Sequence, residues 1–246
     1  MATFAAPAAD RSPWSGPGAV HRSPPLALLG GVFTALFLAS LVVGMTMTGG
    51  APHPTPYDPP EAARAYYGPH PDAIRIIAFL QLGAAIVLGI YTATVTSRLH
   101  FLGLNVAGVT IGLVGGAAAS VLLAVSALTT WVMTQPGIAD DLTTLRALQL
   151  FAFAVGGPGH VAAFGLLLAG VSIPAAFARL MPRWLVWLGL ILAVLAELST
   201  LSLVFPSLSV LIPLARFPAL IWVVGAGLTL PTARSSGRVD EPGAAA

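Results

Sequence analysis

Glu197 is the one acidic residue within a long apolar segment, and three arginines lie near the ends of other apolar segments. At about 1.5 Å per residue, Glu197 is roughly 20 Å from Trp184, where its segment begins. A carboxyl group at that depth in lipid must be protonated or face a partner. The long side chains of Arg75, Arg146 and Arg216 could reach it. This pattern predicts an outward-opening polar site for an anion or a lipid headgroup, or a proton-coupled site in which Glu197 titrates.

A purely structural explanation of the same residues is also open. Arginines at helix ends often extend to the lipid headgroups, and one Glu–Arg pair can lock two helices together. His160 and Gln149 lie near a glycine-proline break, where freed backbone groups could contact a ligand or could be satisfied by these side chains alone. An intramembrane enzyme with Glu197 and His160 as acid and base is a weaker third possibility. The ligand-binding hypothesis therefore comprises Arg75, Arg146, Glu197, Arg216, His160 and Gln149, with no catalytic residue assigned.

One apolar segment carries small residues at steps of four: Gly108, Gly112, Gly116 and Ser120. This spacing lines one helix face with small side chains and lets a neighbouring backbone approach closely. We expect helix packing there, while a pore wall or a lipid-tail groove is the alternative. The same face could hold a protein partner or a second copy of the chain.

The composition excludes several chemistries. The chain has no cysteine, and its sequence contains no lysine, so it has no thiolate metal site, no cysteine nucleophile and no GxxxxGK[ST] phosphate loop. The histidines lack metal-ligand spacing. A net charge of +2, scattered along the chain, gives no footprint for nucleic acid. We expect no metal, cofactor or nucleic acid, and a non-catalytic role is favoured over an enzyme.

The segments that must position these residues fill most of the chain. With 57% hydrophobic and 8% charged residues, the composition is far from the roughly 25% charged residues of soluble domains. Each long apolar run can cross about 30 Å of hydrocarbon. We predict an all-α bundle of six transmembrane helices within residues 26–231, with spans at about 26–48, 74–95, 104–132, 158–177, 184–205 and 214–230. Residues 1–25 and 232–246 are predicted to be disordered cytoplasmic tails.

Two connecting regions have features of their own. The apolar stretch 142–177 would reach about 54 Å as one straight helix, so we predict a break at residues 156–159 and an outer helix over 142–155. Asp140 and Asp141 precede it and suit the positive end of a helix dipole. The loop 49–72 is rich in proline and tyrosine, and its prolines are expected to block helix formation.

The arginines predict the orientation, because short cytoplasmic loops retain positive charge during insertion. With both termini in the cytoplasm, seven arginines lie on the cytoplasmic side: Arg11, Arg22, Arg98, Arg179, Arg183, Arg234 and Arg238. Only Arg64 then lies in an outer loop proper. The exclusive use of arginine, with abundant Ala, Gly and Pro, is typical of a high-GC genome. We expect a multi-pass protein of a bacterial inner membrane.

Three short pieces of the C-terminal half carry a family resemblance. They are Arg146 with Gln149 before Gly157-Pro158, the turn Leu-Met-Pro-Arg-Trp-Leu at 180–185, and Arg-Phe-Pro at 216–218 followed by Ile221-Trp222. In these pieces the chain resembles a bacterial family of uncharacterised multi-span membrane proteins, domain of unknown function 4386. The resemblance implies a six-span bundle and brings no activity, substrate or catalytic residue with it.

Two functions from different classes remain open. The first is a small transporter or a ligand- or lipid-binding protein with an outward-facing polar cavity. The second is a non-catalytic membrane subunit or scaffold of a larger complex. In both cases we expect membrane lipids to surround the helices.

Overall fold

The computed structural model describes residues 20–233. Its eight α-helices are α1 (Leu26–Met47), α2 (Pro60–Tyr67), α3 (Pro71–Phe101), α4 (Ala107–Val132), α5 (Leu142–Ala154), α6 (His160–Phe177), α7 (Arg183–Leu198) and α8 (Leu211–Thr229). A π-helical turn, Val155–Gly159, joins α5 to α6, and two 3₁₀ turns, Ser199–Leu203 and Pro206–Val210, connect α7 to α8. Six helical stretches are long and apolar enough to cross a membrane. The predicted all-α bundle of six membrane helices is confirmed.

The membrane helices form a closed ring in chain order. Consecutive helices α1, α3, α4, α6, α7 and α8 pack on one another, and α8 returns to α1. The largest fully buried side chains lie between them and include Trp222, Tyr91, Phe33 and Phe164. The Tyr91 hydroxyl donates to the carbonyl oxygen of Val223 at 3.0 Å and so ties α3 to α8 across the ring. Its polar group is satisfied inside an otherwise apolar core.

The outer surface of the bundle is also apolar. Large side chains point away from the core, with 74% of Phe79, 88% of Phe177 and 69% of Leu228 exposed. An apolar surface of this extent is compatible with lipid and unfavourable in water. The chain is therefore a multi-pass membrane protein.

Both ends of the described chain meet on one side of the bundle, which we call the terminal side. Val20 forms an antiparallel bridge with Ala233, and the His21 N–H donates to the carbonyl oxygen of Thr232 at 2.8 Å. The imidazole of His21 lies 3.0 Å from the Ser97 hydroxyl near the end of α3. An even number of spans returns the chain to the side where it began, in agreement with this contact. The opposite side is called the distal side.

The predicted tail disorder falls largely on residues 1–19 and 234–246, which lie outside the described residues. The short segment 20–25 is described, and its contacts with residues 232–233 and with α3 hold it in place. The first spanning helix begins directly after it, at Leu26 as predicted.

The small residues of α4 pack against two helices of the same chain. Gly108 and Gly112 face α6, and a Cβ added to Gly112 would stand 3.3 Å from the carbonyl carbon of Gly170. Gly116 faces α3, and the Ser120 hydroxyl donates to a main-chain carbonyl of α3 at 2.7 Å. These four residues therefore lie at the contacts of α4 with α3 and α6. Because α3 and α6 fill this face, a partner or a second copy would need another surface.

The loop between α1 and α3 contains a helix that its prolines were expected to block. Pro60 is the first residue of α2, where its fixed φ suits the first turn and its missing N–H is not needed. Glu61 lies in the first turn and Arg64 in the last, and both charges suit the helix dipole. The expectation was wrong because Pro60 starts the helix, and the other prolines of the loop lie outside it.

The fourth apolar stretch breaks where predicted. Gly157 has φ −87° and ψ −107°, a non-helical conformation inside the π-helical turn, and Pro158 follows it. Asp141 caps the start of α5, since its carboxylate accepts from the N–H groups of Thr143 and Thr144 at 3.0 and 3.4 Å. Hydrogen bonds from Thr144 lower the pKa of Asp141. The second span is longer than predicted and runs from 71 to 101.

Candidate functional site

A cavity of about 330 Å³ lies in the distal half of the bundle. The loop between α1 and α3 covers it with residues 53–57, while α8 contributes Arg216 and α5 contributes Gln149. Further polar side chains from several elements line it: His53, Thr55, Tyr57, Tyr67, Gln81, Ser126, Thr130 and Ser209. Polar groups far apart in the sequence therefore converge on one partly open cavity.

Arg216 extends from α8 into this cavity without a carboxylate beside it. Its Nη2 donates to the carbonyl oxygen of Gly156, and its guanidinium carbon lies 5.6 Å from the centre of the Phe37 ring. The Nε atom is buried and has no hydrogen-bond partner. The one ion pair within residues 20–233 joins Arg75 to Asp72. The Arg216 guanidinium therefore has donor capacity left for an anion.

The helix break explains why Gly156 can accept this bond. In a regular α-helix its carbonyl would accept from the N–H of His160, four residues later. Here that N–H is directed to the carbonyl oxygens of Val155 and Gly157. The carbonyl of Gly156 is thus left to a side chain, and Arg216 from α8 takes it. The break positions the positive charge.

The roof of the cavity, residues 53–57, is fastened to α5 by two side chains. Gln149 donates from Nε2 to the carbonyl oxygen of Pro54 at 3.1 Å. Arg146 donates from Nη2 to the carbonyl oxygen of Pro56 and from Nη1 to Oε1 of Gln149, the latter at 2.8 Å. Proline contributes no N–H, so its carbonyl is the backbone group that can be held. A few polar contacts therefore hold the roof against α5.

A tight turn and one tyrosine hold the other end of the roof. The Asp58 carboxylate accepts from the backbone N–H of Thr55 at 2.6 Å and from its hydroxyl at 2.8 Å, and these bonds lower the pKa of Asp58. The Tyr57 hydroxyl donates to the carbonyl oxygen of Ser202 at 3.2 Å, and its ring packs edge-on against Phe153. The roof thus contacts both α5 and the chain after α7.

An aromatic cluster forms the wall where the loop meets α2. The His53 ring lies 5.1 Å from the ring of Tyr66 and 6.2 Å from that of Tyr67, between centroids. Its Nδ1 donates to the carbonyl oxygen of Pro54 at 3.1 Å, while the Tyr67 hydroxyl lies 3.5 Å from Nε2. Burial lowers the pKa of His53 and raises that of Tyr67. Both side chains are therefore neutral at pH 7.

Three of the six predicted ligand residues meet at this cavity. Arg216 and Gln149 line it, and Arg146 holds its roof. Arg75 does not join them, because its guanidinium is bound to Asp72 at 3.0 Å and to the hydroxyl and carbonyl of Thr134, each at 3.3 Å. The expectation that Arg75 reaches inward is corrected, since polar partners at the end of α4 hold it near the distal surface.

Glu197 is also outside the cavity, which corrects its predicted meeting with the arginines. The core face of α7 contains Leu192, Ala193 and Ala196. Glu197 is the residue after Ala196, so its side chain points about 100° around the helix axis from that face. It is exposed beside Val194 and Leu198, on the side that faces lipid. Sequence depth alone could not show which way the carboxyl group points.

His160 is buried, and its ring is engaged by protein groups. Its Nδ1 donates to the carbonyl oxygen of Ala119 in α4 at 2.8 Å, and the ring stacks on Phe164 at 5.7 Å. It is not among the cavity-lining residues. The predicted ligand contact is therefore corrected to a link between α6 and α4. The proposed acid–base pair of His160 and Glu197 is not formed.

Most of the roof could not be recognised from the sequence. His53, Tyr57 and Tyr67 belong to a loop whose proline and tyrosine content marked it as unusual without locating it over a cavity. Ser126 and Thr130 lie one helical turn apart on α4 and resemble ordinary polar residues of a membrane helix. The Thr130 hydroxyl donates to the carbonyl oxygen of Ser126 within α4, and the Ser126 hydroxyl donates to that of Ala152 in α5. No residue pattern signalled that they border a shared space.

The side chains around the cavity are of the kinds that bind a small ligand. They offer a guanidinium, two amides, several hydroxyl groups and a neutral imidazole around a mainly apolar space. Within residues 20–233 no group of three or more His, Asp or Glu side chains could hold a metal ion. The residues present fit a small ligand with one negative group.

Comparison with known proteins yields no relative on which to base a function. No family model, curated protein or solved structure matches the chain. The resemblance to domain of unknown function 4386 therefore stays a prediction.

Proposed function

We propose that this chain is a bacterial inner-membrane protein that binds a small anion in an outward-facing cavity, as a small transporter or a ligand-binding protein. The observation that carries the proposal is Arg216, at the edge of a cavity of about 330 Å³. Its Nε has no hydrogen-bond partner, and its guanidinium has no carboxylate partner among residues 20–233. A charge inside a membrane bundle without an opposite charge beside it costs free energy, and such a charge is retained where it has a function.

The orientation rests on the arginines around the connecting loops. Arg98, Arg179 and Arg183 lie by the connections on the terminal side, where residues 20 and 233 also meet. On the distal side, Arg64 lies on α2 and Arg75 lies near the start of α3. Under the positive-inside rule the terminal side faces the cytoplasm, and the cavity then faces outward.

The roof supports a role in binding or transport. It is a connecting segment without regular structure, fastened by hydrogen bonds from Arg146, Gln149 and Tyr57. Segments of this kind commonly open and close ligand sites, because few contacts need to break. A ligand from outside would enter by displacing them.

The second function, a non-catalytic subunit or scaffold, has less in its favour. That hypothesis places a protein partner on the glycine-lined face of α4. In the structure, α3 and α6 of the same chain already fill that face. The family resemblance is compatible with either function. Anion binding is therefore the function that the cavity supports best.

Thermal unfolding in nanodiscs of zwitterionic lipid tests this proposal. Acetate, phosphate and sulfate would be added separately at constant ionic strength, with tryptophan fluorescence as the readout. At about 100 times its Kd, a bound anion stabilises by about 2.7 kcal/mol, which raises Tm by about 5 °C or more. Arg75→Gln should keep this shift, and Arg216→Gln should abolish it.

A second variant, Arg216→Lys, controls for the case in which Arg216→Gln loses the shift because it does not fold. It keeps the charge and loses the planar donor set, so it should bind the same anion more weakly. If no anion raises Tm, or if the stabilising anion acts equally on Arg216→Gln, the proposal is overturned.

A further inference from the structure

A second space lies on the lipid-facing surface between α1 and α8. It is a groove of about 620 Å³ with an almost wholly apolar lining, formed by Leu38 of α1 and by Phe217, Leu220, Ile221 and Leu228 of α8, among others. From Phe217 to Leu228 it follows α8 for about 16 Å at about 1.5 Å per residue. Trp184, near the start of α7, closes its terminal-side end. Such a groove suits one extended hydrocarbon chain.

The groove and the cavity meet at a pair of aromatic rings. Phe37 lines the cavity, Phe217 lines the groove, and their rings touch edge to face with centroids 6.4 Å apart. Arg216 is the residue before Phe217, and its guanidinium lies over the Phe37 ring on the cavity side. One helix therefore presents a cation to the cavity and, at the next position, an apolar ring to the groove.

This arrangement is complementary to an amphiphile. The cavity offers one guanidinium without a carboxylate partner within the described residues, and the groove offers apolar surface where that cavity ends. A guanidinium pairs with a carboxylate through two parallel hydrogen bonds. An acyl chain that comes from lipid gains nothing from leaving water, so the groove holds it by packing contacts along its apolar walls. One ligand with both parts would use both spaces.

We propose that the ligand is a long-chain fatty acid, with its carboxylate beside Arg216 and its acyl chain in the groove between α1 and α8. It enters sideways from the membrane by parting Phe37 from Phe217. This inference rests on the proposed function, because it assigns a ligand class to the same Arg216 cavity.

Photo-crosslinking in zwitterionic nanodiscs tests the inference. A palmitate analogue with a diazirine in its chain is added and irradiated, and labelled peptides are mapped by mass spectrometry. Labels should concentrate on α1 and α8, and unlabelled palmitate should compete while the uncharged alcohol of equal length should not. Butyrate, measured by the thermal assay, reports the cavity alone.

Matched variants separate the groove from the general lipid surface. Leu38→Trp fills the groove, whereas Leu113→Trp alters a leucine of similar exposure on α4, with 41% and 37% of the two side chains exposed. Leu38→Trp should lower groove labelling at least about tenfold, a loss of about 1.4 kcal/mol in binding free energy, because the indole occupies the space that the acyl chain would fill. Leu113→Trp should leave labelling unchanged. Ile221→Trp fills the groove from the α8 side and should lower the labelling in the same way.

The outcomes distinguish the two proposals. Butyrate stabilisation that depends on Arg216, together with labels spread evenly over all lipid-facing helices, overturns the fatty-acid inference and leaves anion binding standing. Labelling of α1 and α8 that Leu38→Trp and Ile221→Trp do not reduce also overturns the inference. If palmitate and butyrate do not act through Arg216, the fatty-acid inference fails, and if acetate, phosphate and sulfate do not act through it either, both proposals fail.

Discussion

Arg216 of α8 donates a hydrogen bond to the carbonyl oxygen of Gly156 and so links the last helix to the break in the fourth apolar stretch. The π-helical turn frees that carbonyl, and the guanidinium satisfies it while keeping an unpartnered Nε. The break and the cationic site are therefore one structural unit. Changes to one should alter the other.

A methyl group at Gly156 should destabilise the bundle. A Cβ there would collide with the hydroxyl of Ser126, which is itself bonded to the carbonyl oxygen of Ala152. We expect Gly156→Ala to cost about 1–3 kcal/mol, the usual effect of overpacking. Gly31→Ala, on α1 with open space around its Cα, should be neutral or stabilising by up to about 1 kcal/mol. Unfolding in mixed micelles measures both, and equal stabilities would contradict the packing described here.

Removal of the Gln149 amide should loosen the roof. Gln149→Leu keeps the approximate size of the side chain and loses the hydrogen bonds to Pro54 and Arg146. If the lost bonds stabilise the closed roof by about 1.4 kcal/mol, hydrogen exchange in residues 50–60 should be about tenfold faster in this variant. Gln135→Leu, which alters a half-buried glutamine on the loop after α4, should leave exchange there unchanged. Equal exchange in both variants would show that α5 does not hold the roof.

The roof should loosen in acid through His53. Burial lowers the pKa of His53 below 6.5, so the closed state binds fewer protons than the open one. The stability of closure is therefore fully present above pH 6.5 and is lost as the pH falls through the lowered pKa. Hydrogen exchange of residues 50–60, corrected for intrinsic rates, should rise from pH 7.5 to 5.5. His53→Phe should flatten this rise and His100→Phe should preserve it, and a rise that persists in His53→Phe would rule out His53 as the cause.

The orientation can be measured directly because the chain has no cysteine. Single cysteines at Pro52 on the distal side and Asn105 on the terminal side, both exposed, provide one label site each. In intact cells an impermeant maleimide should label Pro52→Cys, while Asn105→Cys should react only after lysis. The reverse pattern would place the cavity on the cytoplasmic side.

The sequence was sufficient for the features that depend on local patterns. Apolar runs of membrane-crossing length predicted the six helices, and the excess length of residues 142–177 with its glycines and proline predicted the break. Asp141 was expected at a helix start and caps α5. These follow from hydrogen bonding and hydrophobicity within short segments, so no tertiary information was required.

Which residues form the site depends on the rotation of each helix about its axis and on the path of a long loop. Sequence patterns within short segments determine neither. Glu197 and Arg216 were placed at similar depths, yet Arg216 turns into the bundle and Glu197 turns out. Arg75 found nearer partners in Asp72 and Thr134. The roof over the cavity depends on Gln149 meeting Pro54, a contact between residues distant in the sequence.

The most direct test of anion binding is NMR of the arginine Nε–H groups. Protein labelled with ¹⁵Nε-arginine has only eleven such groups, and Arg216→Lys identifies the resonance of Arg216 by its loss. During titration with acetate at constant ionic strength, the Arg216 signal should move saturably downfield as its free Nε–H gains an acceptor, while that of Arg75 stays in place. An Arg216 signal that does not move, or moves no more than the other arginine signals, would contradict an anion site at this residue.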